Sequence, residues 1–204
     1  MIQQRSPEWF EQRRGKVTAS DVGNVRNKSL AGYKNYLTKL LLERLTGERE
    51  ESYSNAAMQW GTDYEDTAAI EYALAMNVEV EDCEFVDHPT VRMSGASPDK
   101  QIVGVNAGIE TKCPNSATHI DYMISQKIPT KYKDQMQWQM ACKGWDWIDF
   151  VSYDPRMPVG SQLVIIRCER DQDYIDKLES QVEAFQDDLE AKLKLIQEYA
   201  DDHR

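Results

Sequence analysis

Histidine and cysteine are scarce in this chain of 204 residues, and neither is spaced for metal or thiol chemistry. His88, His119 and His203 are scattered, and Cys83, Cys113, Cys142 and Cys168 lie far apart with no C-x-x-C pair. That spacing argues against a zinc or iron–sulfur centre and reads as small buried residues in a reduced cytosol. Long apolar runs are missing too: none approaches the roughly 18 residues a membrane helix needs. The start, Met1-Ile2-Gln3-Gln4-Arg5-Ser6-Pro7, has no apolar signal stretch, so a cytoplasmic location is expected. Internal repeats, low-complexity segments and Pro/Gly/Ser linkers are also lacking. The expectation is therefore one domain over 1–204: mainly helical over 1–76, a sheet-bearing core over 78–168, and a C-terminal helix over 171–204.

What is present is ordinary in amount and uneven in placement. Hydrophobic residues make up 41% and charged residues 29%, with a net charge of −11. Residues 1–28 hold six Lys/Arg against three Asp/Glu, whereas residues 169–204 hold five against twelve. An acidic exterior with a local basic entry suits a DNA enzyme that must not bind duplex indiscriminately, although charge alone does not decide it.

Ser6 and Pro7 predict a first helix, with Glu8 near its positive end. Val17-Thr18-Ala19-Ser20-Asp21 breaks it and offers caps for the next. Tyr33, Tyr36, Leu37, Leu40, Leu41 and Leu45 recur at helical spacing, and Gly47 stops the run. A further helix is expected from Asn55 to Met76, with Met58, Ala68, Ala69 and Tyr72 in the core. Val78 and Val80, Cys83 and Phe85, Val91-Arg92-Met93, Ile102-Val103 and Gly108 to Cys113 predict strands. A helix opening at Pro129-Thr130, strands over Trp147–Tyr153 and Gln162–Cys168, and a closing helix complete an α/β pattern with one mixed sheet. In the closing helix Ile175, Leu178, Val182, Phe185, Leu189, Leu193 and Ile196 form one apolar stripe, expected to pack on the chain's own core.

The informative constellation is Asp99 in Ser97-Pro98-Asp99 with Glu110 and Lys112 in Gly108-Ile109-Glu110-Thr111-Lys112. In a strand, residues two apart share a face, so Glu110 and Lys112 point together while Ile109, Thr111 and Cys113 pack on the other side. Two carboxylates suit a hard cation such as Mg²⁺. An adjacent lysine can orient or deprotonate a water, or steady charge on phosphate. These are the parts of metal-assisted phosphodiester hydrolysis. The same spacing also describes a solvated, salt-bridged face, so context has to decide.

That context is a series of motifs in order. They are Trp9 with Arg13 and Gly15, Thr18-Ala19-Ser20, Trp60-Gly61 with Tyr64-Glu65, and Ser97-Pro98-Asp99. Then come Gly108 to Pro114, Gln135-Met136-Gln137 with Met140, and Tyr153-Asp154-Pro155-Arg156-Met157. Over nearly its whole length the chain resembles the lambda-exonuclease, YqaJ-type viral recombinase family of PD-(D/E)XK nucleases. The resemblance implies a restriction-endonuclease-like core and places Asp99, Glu110, the backbone carbonyl of Thr111 and Glu65 as metal ligands. Lys112 would contact the attacking water or the scissile phosphate. Gln135 would support the site, with Gln137 or Gln139 taking that role in another register. Arg13, Ser20 and Ser97 would grip a 5′-phosphate, with Arg14 as the neighbouring alternative and helix capping as the plain reading of Ser20. Lys100 stands where the family often has Gly, a cation expected to face the DNA backbone. Thr111 replaces an apolar residue, with little consequence expected.

The implied activity is a 5′→3′ exonuclease on linear double-stranded DNA, using Mg²⁺ or Mn²⁺ with two ions per site. It would release mononucleotides and leave a 3′ single-stranded tail. The implied partners are DNA ends bearing a 5′-phosphate, a homotrimeric ring of this chain and a phage-type single-strand annealing protein. An endonuclease on the same core is the nearest alternative. A non-catalytic DNA-binding or assembly subunit is the other; the presence of Asp99, Glu110 and Lys112 opposes it.

Overall fold

A computed structural model describes residue 2 and residues 4–49 and 55–203. Helix α1 (Pro7–Arg13) starts on Ser6, whose hydroxyl accepts the Trp9 N–H at 3.2 Å. The chain then turns at Gly15 with φ +67°, and a Cβ there would sit 2.9 Å from Arg44 Cγ. Strand β1 (Val17–Thr18) and a 3-10 turn (Val22–Arg26) lead into α2 (Ala31–Thr46), which Gly47 ends in the left-handed conformation. Helix α3 (Ala56–Met76) is capped by the Asn55 side chain and closed by left-handed Asn77. Of its expected core contacts, Ala68, Ala69 and Tyr72 are buried, but Met58 is 53% exposed and lines an open cleft.

The strands form the expected central mixed sheet and, beside it, a small second sheet that the sequence did not foresee. Five strands run in the order β2 (Val80–Asp82), β5 (Lys100–Ile102), β6 (Ala107–Lys112), β7 (Trp147–Tyr153), β8 (Leu163–Glu169). Within this sheet only β6 and β7 are parallel, with Glu110 opposite Phe150. A parallel pair needs a crossover, supplied here by two helices, α4 (Ser116–Ser125) and α5 (Thr130–Lys143). The sequence reading foresaw α5 and missed α4. The smaller sheet places β4 (Ser94–Ala96) between β1 and β3 (Val86–Asp87).

Two strand boundaries differ from expectation. Val91-Arg92-Met93 is a turn with Met93 at φ +51°, and pairing begins at Ser94. Val78, Cys83 and Phe85 lie outside the strands, which cover only Val80–Asp82 and Val86–Asp87.

The pleat of β6 decides the site. Ile109 joins Ile102, Val151, Ala69 and Tyr72 on the face under α3. Gly108, Glu110 and Lys112 take the opposite face, under α5. A Cβ on Gly108 would lie 2.2 Å from the Trp145 ring, so only glycine lets that ring close over the strand. Helix α6 (Gln172–Asp202) buries Ile175, Leu178, Val182, Phe185 and Leu189 against α2, the 3-10 turn and Trp138. The expected stripe thus packs on the chain's own core, fading to Ile196 at 40% exposure.

Candidate active site

Helix α5 carries two glutamines one turn apart toward Glu110. Gln135 Nε2 donates to Glu110 Oε1 and Gln139 Nε2 to Oε2, each at 2.6 Å. Lys112 Nζ donates to the same Oε1. Glu110 is fully buried, so three donors hold a carboxylate that would otherwise be costly to keep there. Both Gln135 and Gln139 therefore reach the centre. Gln137 does not: it faces the other way and bonds the Glu169 carbonyl and the Asp171 N–H. The i, i+4 spacing of Gln135 and Gln139 was the available signal for the second amide.

Asp99, just before β5, reaches β6 at Thr111. Its Oδ2 accepts the Thr111 N–H at 2.7 Å and the Thr111 hydroxyl at 2.8 Å. This corrects the expectation for Thr111: its side chain fixes a site carboxylate. Lys100 is also corrected. It bonds Asp66 at 2.8 Å and Asp82 at 2.6 Å, so it is held among carboxylates rather than presented to a ligand. Glu65 is half-buried on α3 and paired with Arg5 at 2.6 Å.

Burial and mutual charge shift the carboxylates of this group. Burial pushes Glu110 up to about 7, and the negative charge of Asp99 pushes the same way. Burial and Asp99 also raise Glu65. Lys112 is raised despite burial, because Glu110 and Asp99 hold its proton in place. Among the described residues no cluster of three or more His, Cys, Asp or Glu could hold a metal alone. Asp99, Glu110, Glu65 and the Thr111 carbonyl are oxygen donors of the kind a hard cation such as Mg²⁺ takes.

A second constellation lies beside this one. Arg13 donates from Nη1 to Ser97 Oγ at 2.9 Å and from Nη2 to Ser20 Oγ at 3.4 Å. Its guanidinium lies 4.1 Å from the Trp9 ring centroid. Ser20 caps no helix: Asp21 precedes the 3-10 turn, without a side-chain cap bond. Arg14 turns away, to the Gly47 carbonyl at 2.5 Å and Glu11 at 2.6 Å. Burial holds the Arg13 guanidinium down to about 10, still a cation at neutral pH.

Both constellations line one cleft of about 1290 Å³. Its described lining carries nine Lys and Arg against five Asp and Glu, a local excess of positive charge on a chain of net charge −11. The four cysteines are free and buried, as expected.

The profile of the YqaJ-like viral recombinase domain matches residues 8–146. The chain belongs to that family. It is similar to LHK-Exo solved in complex with dAMP, at 43% identity and TM-score 0.92, covering 98% of this chain and 100% of that one. A second structure, of the alkaline exonuclease LHK-Exo from Laribacter hongkongensis, matches at 42% identity with the same coverage and TM-score. A phage-related exonuclease from Haemophilus somnus 129PT shares the fold at 18% identity and TM-score 0.72, over 93% of this chain and 99% of that one. No curated protein sequence matches the chain. Among the described residues no helix is long and apolar enough to cross a membrane.

Proposed function

We propose that this YqaJ-family protein is a Mg²⁺-dependent exonuclease acting in recombination. It digests the 5′-phosphorylated strand of linear duplex DNA in the 5′→3′ direction, releasing mononucleotides and leaving a 3′ single-stranded tail. The family and the two LHK-Exo structures support DNA-end hydrolysis. One of those structures holds dAMP, a mononucleotide of the kind such digestion releases. The observation that carries the reading is the shared cleft. Ser97, bonded to Arg13, is two residues from Asp99, so a pocket for a terminal phosphate adjoins the hydrolytic centre.

A guanidinium and two hydroxyls suit a terminal dianionic phosphate. Holding it at Arg13, Ser20 and Ser97 brings the next phosphodiester to Asp99, Glu110 and Lys112. Divalent metal bound by Asp99 and Glu110, with the Thr111 carbonyl and Glu65 as further oxygens, would polarise the scissile phosphate and offset charge on the leaving oxygen. Glu110 and Asp99 favour the protonated form of Lys112, so it can donate to the water or to the phosphate oxygen. Gln135 and Gln139 hold Glu110 in one orientation while charge shifts nearby. Three copies closed into a ring around the duplex, and an annealing protein that loads on the 3′ tail, complete the proposal.

The test is digestion of linear duplex beside closed circular plasmid, with Mg²⁺ or with EDTA. Loss of the linear form alone, only with Mg²⁺, is expected. Cutting of the circle would favour an endonuclease.

A further inference from the structure

The motif Tyr153-Asp154-Pro155-Arg156-Met157 has so far no task, yet Arg156 lines the same cleft as Asp99, Glu110 and Lys112. Its guanidinium is held in place on three sides. Nε donates to Asp154 Oδ1 at 2.7 Å and Nη2 to Asp154 Oδ2 at 3.0 Å, a bidentate pair with a carboxylate that is 0% exposed. Nη2 also donates to the Pro114 carbonyl at 3.1 Å, two residues past Lys112. The guanidinium carbon lies over Trp60, 4.4 Å from the ring centroid, and the Tyr64 ring is tilted against Trp60 with centroids 4.2 Å apart.

These bonds use Nε and Nη2. Among the described residues no acceptor takes Nη1, and the side chain is 46% exposed. A guanidinium fixed by a buried carboxylate, an aromatic plane and a backbone carbonyl loses little further freedom when its remaining edge meets an anion. Arg156 and Tyr64 both lie against the half-buried Trp60 ring, and the guanidinium is the charged edge of the group. What remains on offer is charge and N–H donors, which is chemistry for a phosphate.

We infer that Arg156 is a second phosphate-binding residue, contacting a backbone phosphodiester of the DNA other than the terminal one held at Arg13. The inference rests on the DNA-end reading above. The two guanidiniums are tied to different segments of the centre: Arg13 through Ser97, two residues before Asp99, and Arg156 through Pro114, two residues after Lys112. A substrate gripped at both has its intervening backbone fixed against the carboxylates and Lys112, which is how positioning lowers a hydrolytic barrier.

The experiment is binding of a fluorescent 5′-phosphorylated duplex in EDTA, followed by anisotropy across a series of salt concentrations. Each phosphate contact contributes about 0.9 to the slope of log Kd against log[salt]. Arg156→Ala is expected to lower the slope by about that amount, so the ratio of its Kd to the wild-type Kd should be about eightfold larger at 0.1 M salt than at 1 M. Because Arg156→Ala strands a buried carboxylate, the pair Asp154→Asn with Arg156→Gln keeps hydrogen bonding and shape while removing both charges. The pair should show the same loss of slope with an unchanged melting temperature, and Arg156→Lys should restore most of the slope. A brace without DNA contact would change melting temperature and leave the slope at the wild-type value; that result in the double variant overturns the inference. A wild-type protein with no salt-dependent binding would instead overturn the DNA-end reading itself.

Discussion

Thr111 donates twice to a single oxygen of Asp99, once from its backbone N–H at 2.7 Å and once from its hydroxyl at 2.8 Å. The two carboxylates of the centre are therefore held by different parts of the structure: Glu110 by amides from α5, Asp99 by the residue that follows Glu110. Hydrogen bonds to charged groups contribute about 1.5–3 kcal/mol. Groups that orient metal ligands typically cost about 10–100-fold in activity or metal affinity when removed.

Thr111→Val keeps the shape and the backbone bond while deleting the hydroxyl. Turnover should fall about 10–100-fold, with the Mg²⁺ midpoint shifted upward and secondary structure unchanged. Steady-state rates across a Mg²⁺ titration check this. A variant as active as wild type at every metal concentration would leave Thr111 with packing alone.

Glu110 sets a pH dependence of stability. Its ordinary value is 4.5 and its folded value about 7, so between those limits the folded chain binds more protons than the unfolded one. Without added metal, this group's contribution to stability is fully present below about 4.5 and is lost as pH rises through about 7. Glu110→Gln removes the contribution. The difference in melting temperature between variant and wild type in EDTA should therefore change steadily from pH 5 to pH 8, moving in the variant's favour. A flat difference would mean that Glu110 is ionised throughout.

Arg13→Ala should reduce the preference for 5′-phosphate over 5′-hydroxyl ends, measured as a ratio of kcat/KM values on matched duplexes. Arg14→Ala should leave that ratio unchanged, because Arg14 is committed to Gly47 and Glu11. Loss of the preference in Arg14→Ala alone would exchange the two assignments.

The cysteines should be inert in the folded protein. Burial pushes Cys83 up to about 11 and Cys113 to about 12, and raises Cys142 and Cys168 as well. Since the thiolate is the reactive form, alkylation at pH 8 should label none of the four in the native state and all four after denaturation. Intact-mass analysis reads the outcome; rapid native labelling would contradict the burial.

Much of this was legible in the chain, and what was not has physical reasons. The face shared by Glu110 and Lys112 followed from pleating alone, and the stripe on α6 followed from its regular spacing. The small sheet was not legible, because strands of two or three residues carry no periodicity. Val91-Arg92-Met93 has the β-prone residues, yet the strand is Ser94-Gly95-Ala96, set by tertiary fit: a Cβ on Gly95 would lie 2.4 Å from the Val86 carbonyl oxygen. Helix α4 was left unassigned although Asn115 caps it, accepting the Thr118 N–H at 2.9 Å. Thr111 was dismissed because it points away from Glu110, and only the path of residues 97–99 brings Asp99 to that side.

The central claim is that the Arg13 pocket feeds a 5′ end to Asp99, Glu110 and Lys112. Its most direct test is a linear duplex with one 5′-phosphorylated strand, labelled in separate preparations at its 5′ and its 3′ end, with Mg²⁺. The account predicts that the 5′ label leaves first, as a mononucleotide, while the 3′ label is released last. Early release of the 3′ label, or equal release from both ends, would contradict it.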